Sequence, residues 1–284
     1  MTPGAALRRR LTDGACLPAP GVHDGLSARI AEAAGAKALY LGGNALGLCL
    51  GKGQPFVTAT ETADALARIN RAVAAPVIVD MGAGFGDAPH VHFTVRDIEA
   101  AGAAAIHIDD QPYPKPAGYH RGQGRLDTPE RTAAKLAVAA RARRSPDMMV
   151  IARTDALRVT GSLDDAIARG RAFLQAGAEA LMILDLTPAH AATVRAALPG
   201  VPLVWIGGVV APIPSLKELT AAGFALALYP FNGIAAVTTG LTDLWSGLMA
   251  SGQIAQSPEL LQRARVDTVK VVDLATAWAI EDAQ

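Results

Sequence analysis

Several short apolar runs in the chain end in residues able to do chemistry. Val77-Ile-Val-Asp80 passes straight into the loop Met81-Gly-Ala-Gly-Phe-Gly86. Ala105-Ile-His-Ile-Asp109 continues into Asp110, Met148–Thr154 carries Arg153 and is followed by Asp155, and Leu181-Met-Ile-Leu closes on Asp185. A further run ends in Tyr40-Leu-Gly42-Gly43-Asn44. Carboxylates on adjacent strands suit a hard divalent cation, which takes oxygen ligands and retains waters. Asp80 and Asp109 are therefore candidate ligands for Mg²⁺ or Mn²⁺. They suit equally well the capping of a following helix or the pairing of an arginine. Arg153 fits a bidentate grip on a substrate carboxylate, or the plain neutralisation of Asp155 or Asp185. His107, between Ile106 and Ile108, is a candidate acid or base, or a satisfied core histidine. Tyr40, Gly42, Gly43 and Asp185 complete the candidate substrate-binding set with Arg153.

The elements that must position these residues follow from a phrase that recurs with variation: EAAGAKALYL, EAAGAAAIHI, LQAGAEALMI and TAAGFALALY. Each reads as a helix end, a glycine closing it in a left-handed cap (Gly35, Gly102, Gly177, Gly223) and an apolar strand. Residues 16–22, 75–80, 148–154 and 202–207 add four more runs, making eight. Helical segments are expected over 26–34, 60–73, 91–101, 129–143 and 163–176. Strands apolar on both faces and alternating with helices imply parallel β-structure, and eight units imply a closed (β/α)₈ TIM barrel. An open doubly wound sheet is the alternative. Residues 1–240 are assigned to the barrel, and 241–284 to a C-terminal helical extension on the barrel or on a neighbouring subunit. In such a barrel the chemistry sits at the C-terminal ends of the strands, where all the residues named above fall.

Bulk composition narrows the function. Lys+Arg and Asp+Glu number 26 each, without the basic surplus of a nucleic-acid binder. Two long uncharged runs, 196–216 and 220–242, are broken by Pro, Gly or Asn and read as buried strands with loops rather than membrane spans. Cys16 and Cys49 have no metal-type spacing, and a reducing cytoplasm with free thiols is expected. No lysine among the six ends a strand, which disfavours a Schiff-base mechanism.

Residues 20–43, 75–115 and 147–157 resemble the isocitrate lyase/phosphoenolpyruvate mutase superfamily. The resemblance implies a Mg²⁺-assisted barrel enzyme that acts on a small anionic carboxylate, assembles as a homo-oligomer (a tetramer or dimer) and exchanges C-terminal helices between subunits. Tyr40, Gly43, Asp80, Lys115 and Arg153 match its pattern. The departures lie in the catalytic text. The metal loop D-x-D-x-G-[YF]-G reads here Asp80-Met-Gly82-Ala-Gly-Phe-Gly86, with Gly82 at the second acid, and the strand-four acid is Asp109 instead of Glu. The gate P-K-[KR]-C-G-H reads Pro114-Lys115-Pro-Ala117-Gly-Tyr119, with Ala117 at the cysteine and Tyr119, or His120 after an insertion, at the histidine. Lys115 and Tyr119 thus belong to a mobile gate over residues 112–124, and join Arg153 and His107 as catalytic candidates. Without the gate cysteine, a standard methylisocitrate lyase is not expected. The reading is a C–C or C–P bond lyase or decarboxylase working through an enolate of a small 2-oxo or 2-hydroxy acid. A metal-free or non-catalytic carboxylate-binding barrel is the alternative.

Overall fold

A computed structural model describes residues 1–283, and for His120 the backbone alone. In chain order the elements are α1 (Pro3–Leu11), β1 (Leu17–Val22), α2 (Gly25–Ala33), β2 (Leu39–Leu41), α3 (Gly43–Cys49), α4 (Ala59–Ala72), β3 (Val77–Asp80), α5 (Ala88–Ala100) and β4 (Ala105–Asp109). A 3₁₀ turn at Ala117–Arg121 precedes α6 (Pro129–Ala142), β5 (Met149–Thr154), α7 (Ala156–Thr160), α8 (Leu163–Gln175), β6 (Ala180–Ile183), α9 (Pro188–Ala197) and β7 (Leu203–Ile206). The chain ends with α10 (Leu216–Ala222), β8 (Phe224–Tyr229), α11 (Asn232–Ser251), α12 (Pro258–Val271) and α13 (Leu274–Asp282). The eight strands pair in parallel in sequence order, and β8 returns to β1 to close the barrel. The expected TIM barrel is observed. Gly35, Gly102, Gly177 and Gly223 all have positive φ (98°, 98°, 106° and 85°), so each repeated phrase turns from helix to strand through the left-handed cap that glycine permits.

Strand side chains alternate between the barrel interior and the helix layer. Ala38, Tyr40, Ile78, Ala105, Met149, Ile151, Ala180 and Met182 form the interior cluster. The register places Tyr40 beside Ile78, Ile78 beside Ala105 and Ala105 beside Met149. Two or four residues further along, the same inward parity carries Asp80, His107, Asp109 and Arg153 to the C-terminal mouth. Asp80 pairs with His107, and Asp109 with Arg153, on adjacent strands.

The opposite end is closed by α1, which lies outside the helical segments expected from the sequence. Thr2 caps it, its hydroxyl accepting the Ala5 N–H at 3.1 Å, and Pro3 opens it. Leu7 is fully buried in the interior cluster, filling space left by Ala19, Ala38, Ala104 and Ala180. Arg8 fastens the helix below β5, with Nε on the Asp147 carbonyl at 2.8 Å and a 2.5 Å ion pair to Glu179.

One helix spans the boundary drawn at 240 from the sequence. α11 begins at Asn232, directly after β8, and runs unbroken across position 240 to a left-handed Gly252. The uncharged stretch 233–242, read as strand and loop, is thus the eighth barrel helix. The exposed positions of that stretch carry Val237 and Leu241 beside Thr238, Thr239 and Thr242, with no charged residue. α12 and α13 bury none of their own residues. No helix among the described residues is long and apolar enough to cross a membrane.

Because Leu7 plugs the end of the barrel away from the mouth, Leu7→Ala is expected to lower stability by about 2–4 kcal/mol. Activity per folded molecule should be retained. Urea unfolding midpoints at matched activity per folded molecule test this.

Candidate active site

The residues at the barrel mouth form a buried network of charges in which every carboxylate already has donors. Asp80 Oδ1 accepts the Gly82 N–H at 2.8 Å, and its Oδ2 accepts the Gly43 N–H at 3.2 Å and lies 3.5 Å from Gln54 Nε2. Asp80 therefore ties the start of α3 to the Gly-rich loop after β3. The N–H of Gly43, expected to face a substrate oxygen, points at this carboxylate. A Cβ at Gly43 would lie 2.7 Å from Gln54 Nε2, and one at Gly42 would lie 2.8 Å from the Tyr40 ring, so close approach demands glycine at both. Tyr40 stacks on His107, and its hydroxyl is 2.9 Å from His107 Nε2. The same nitrogen is 3.7 Å from Asp80 Oδ1.

Asp109 is paired with Lys115 of the gate by a short ion pair, and its Oδ1 accepts the Gln111 N–H at 3.3 Å. Arg153 is held by Asp155 through Nε at 2.8 Å and one terminal nitrogen at 3.2 Å. That terminal nitrogen also donates to the Tyr119 hydroxyl at 2.8 Å, while the hydroxyl donates to Asp155 Oδ2 at 3.2 Å. Lys115 Nζ lies 5.6 Å from the Tyr119 ring centre. Lys115 and Tyr119 are thus folded onto the two charged ends of β4 and β5. His120, the other reading of the gate histidine, lies outside the described side chains.

Burial opposes ionisation of Asp80, but His107, Lys115, Arg153 and the Gly82 N–H outweigh it and hold the carboxyl well below the usual range. Burial also lowers His107, against the pull of Asp80. A neutral imidazole leaves Lys115 and Arg153 as the cations that keep Asp80 ionised. Burial disfavours the charged form of Lys115, and Asp109 and Asp80 more than restore it, raising its pKa. For Arg153, Asp155 more than offsets burial and the guanidinium stays charged. Burial raises the Tyr119 hydroxyl, so it stays protonated at neutral pH.

Asp185 stands apart from this network. β6 ends at Ile183 and its inward residues are Ala180 and Met182, so Asp185 has the outward parity. It adopts φ 66° and is gripped by Arg158 through both oxygens at 2.5 and 2.6 Å, with its side chain half exposed. Asp110 also faces outward, binding the Thr154 hydroxyl, the Asp155 N–H and Arg169 at 2.6, 2.9 and 3.2 Å. This second shell of contacts locks the ends of β4 and β5 to α8.

Three contributors escaped sequence reasoning. Gln111, fully buried, donates to Asp155 Oδ2 at 2.5 Å and joins the Asp109 and Asp155 groups. Gln54 reaches Asp80 from the α3–α4 connection. Lys135, 3% exposed on α6, props the Gly-rich loop through the Ala83 carbonyl at 3.1 Å. Only inward parity carried a signal, and it stops where the strands stop. Gln54 and Lys135 lie outside the strands.

The family model described as phosphoenolpyruvate phosphomutase matches residues 7–245. The chain belongs to that family, within the isocitrate lyase/phosphoenolpyruvate mutase superfamily. A 2,3-dimethylmalate lyase of Eubacterium barkeri is 34% identical over 87% of this chain and 86% of its own length. An oxaloacetate decarboxylase of Bradyrhizobium sp. (strain BTAi1 / ATCC BAA-1182) is 36% identical over 85% and 83%. Among solved structures, a phosphonopyruvate hydrolase in complex with oxalate and Mg²⁺ superposes with a TM-score of 0.84 at 28% identity, covering 99% of both chains. As a family member whose relatives are lyases and decarboxylases, the chain is an enzyme of this superfamily's type.

The Tyr119 hydroxyl fastens the segment 112–124 to Arg153 and Asp155. Tyr119→Phe is expected to raise the open population of that segment roughly 10- to 100-fold, the value of one charge-assisted hydrogen bond. Limited trypsin cleavage at Arg121 and Arg125 should accelerate accordingly, and an unchanged rate would mean that the hydroxyl does not hold the gate.

Proposed function

We propose that the protein cleaves a C–C bond, by lysis or decarboxylation, in a small 2-oxo or 2-hydroxy carboxylic acid through an enolate. A C–P bond in an analogous acid is the related possibility within the same chemistry. The observation that carries the reading is the pair of buried cations, Lys115 and Arg153, set beside neighbouring strand ends under a closed gate. The relatives act as dimethylmalate lyase and oxaloacetate decarboxylase, which supports the same class of substrate.

In this reading the Arg153 guanidinium, fixed in orientation by Asp155, binds the substrate carboxylate in place of the Tyr119 hydroxyl. The electrons of the broken bond pass to the substrate carbonyl oxygen, and positive charge beside that oxygen stabilises the enolate. The carbon is then protonated by water or by Tyr119, whose raised pKa keeps the proton available. Ala117 offers no acid at the gate position, so the reaction is not that of a standard methylisocitrate lyase. The cavity bounded by Gly43, Gln54, Asp80, Gly82 and Lys115 measures about 30 Å³, room for a few water-sized groups only. The gate must therefore open to admit any such acid.

Mg²⁺ accompanies oxalate in the phosphonopyruvate hydrolase structure. The donor set in this chain fits a divalent ion poorly. Among the described residues no three metal-ligating side chains come together. Asp109 is paired with Lys115, Asp80 already accepts two backbone N–H groups, and Gly82 supplies no second carboxylate.

Assembly as a homo-oligomer, a tetramer or dimer with exchanged helices, is part of the same proposal. Trp245, Met249, Leu260, Leu261, Trp278 and Ile280 on α11–α13 are all exposed, more apolar surface than an isolated barrel keeps. A cytoplasmic setting is supported by Cys16 and Cys49, both free thiols. Sedimentation at micromolar protein should give a dimer or larger, and a monomer there would count against the assembly.

Arg153→Lys keeps the charge and loses the fork. It is expected to lower kcat/KM for the productive 2-oxo acid roughly 10²- to 10³-fold, with the fold intact. A panel including oxaloacetate and 2,3-dimethylmalate, assayed for carbonyl product and CO₂, identifies that acid. No turnover of any, with carboxylate binding retained, would favour the non-catalytic barrel.

A further inference from the structure

Gly82 occupies the one position of the β3 loop where the family text has a second acid, and its surroundings say what took that acid's place. The residue has φ 53°, and a Cβ built on it would meet Lys115 Cε at 3.3 Å and Lys115 Nζ at 3.5 Å. The space beyond position 82 is therefore filled by an ammonium group. That ammonium is ion-paired with Asp109, and it is one of the charges that hold Asp80 ionised. It lines the small cavity together with Asp80, Gly43 and Gln54. Lys115 is 8% exposed, so its charge is felt through little water.

We propose that the Lys115 ammonium takes the part of a divalent metal ion in this chain, as the cation set against the enolate oxygen. The inference rests on the function proposed above. Lys115 belongs to the family's own gate text, and what differs in this chain is position 82: an aspartate there would draw the ammonium away from Asp109, whereas glycine leaves the ammonium on Asp109. In the step itself, the C–C bond breaks and its electron pair moves onto the carbonyl oxygen. CO₂ departs, or a carbonyl fragment departs as its hydroxyl proton passes to water, and Lys115 donates an N–H hydrogen bond to the new oxyanion without giving up its proton. The enolate carbon is protonated by water. No oxidant, reductant or further co-reactant is required. Because Lys115 sits on the gate, the cation reaches the substrate oxygen only when the gate closes.

Oxalate, a mimic of the pyruvate enolate, is the probe, titrated by calorimetry into metal-stripped protein in EDTA and again with millimolar Mg²⁺. The wild type should bind oxalate in EDTA, and Mg²⁺ should change the Kd by less than about threefold. Lys115→Met should weaken metal-free binding roughly 10- to 100-fold, the loss of a charge-assisted hydrogen bond, and Lys115→Arg should retain most of it. Gly82→Asp, at a φ that aspartate tolerates better than most residues, should bind oxalate more tightly with Mg²⁺ than without. Oxalate binding by the wild type only in the presence of Mg²⁺ would overturn the inference and leave the proposed function standing. Metal-free binding indifferent to Lys115→Met would overturn it too. Failure to bind oxalate in any condition, together with failure to turn over any 2-oxo acid, would remove the proposed function and this inference with it.

Discussion

The two-residue period of the barrel strands is the constraint on which the site depends. A parallel strand buried on both faces has no solvent side, so each residue goes either into the barrel or under the helix layer. Ile78, Ala105 and Met149 lie inside, which commits Asp80, His107, Asp109 and Arg153 to the inside as well. A one-residue slip of β4 would send His107 and Asp109 under α5 and α6 and bring Ile106 and Ile108 into the mouth. The apolar lower layers make such a slip costly, since Ala105 would then exchange places with a larger isoleucine in a closely packed interior. The lower barrel thus sets the aim of the catalytic layer. α1 contributes to the same end by inserting Leu7 among alanines that alone would leave the interior underfilled.

A cluster of ionised groups at the top of an apolar barrel needs its own compensation, because unpaired charges out of water are strongly disfavoured. The structure supplies it locally. Asp80 takes backbone N–H groups from two loops, Asp109 takes Lys115, and Asp155 takes Arg153, Gln111 and Tyr119. Each pairing also joins segments distant in sequence, so the bonds that satisfy the charges fix the loops that shape the cavity. Asp110, Thr154 and Arg169 repeat the arrangement outside the barrel. Adjacent aspartates at 109 and 110 serve opposite faces of the same strand, one toward the gate and one toward α8.

The sequence held much of this. The helix–glycine–strand phrase gave the barrel and four of its left-handed caps. The ends of the apolar runs gave Asp80, His107, Asp109 and Arg153, because alternation and apolarity are local properties. Asp185 was misjudged as a mouth residue by treating every strand end alike. Its strand presents Ala180 and Met182 inward, and an odd-numbered residue beyond them turns away to Arg158. Gln54 and Lys135 were not legible, because both reach the site from connections or helices whose approach depends on tertiary packing. The start of α11 was hidden for a related reason. A barrel helix that exposes Val237, Leu241 and Trp245 shows no polar face, so the pattern that marks a surface helix is absent.

Placing the site's cation on the gate changes how closure and chemistry relate. A charge fixed on the barrel rim acts on the substrate whether or not the lid has shut. A charge carried by the lid acts only after it has shut, when water has left and the field at the carbonyl oxygen is strongest. Lys115 and Tyr119 lie four residues apart on one short segment, and they dock onto Asp109 and onto the Arg153–Asp155 pair respectively. One closing movement therefore sets the position of both. With Lys115 as the oxyanion partner, an open gate leaves the substrate held by Arg153 but without the charge that makes bond cleavage favourable. The reactive enolate then forms only in the enclosed state. The glycine at position 82 favours this arrangement, because a carboxylate there would compete with Asp109 for the ammonium.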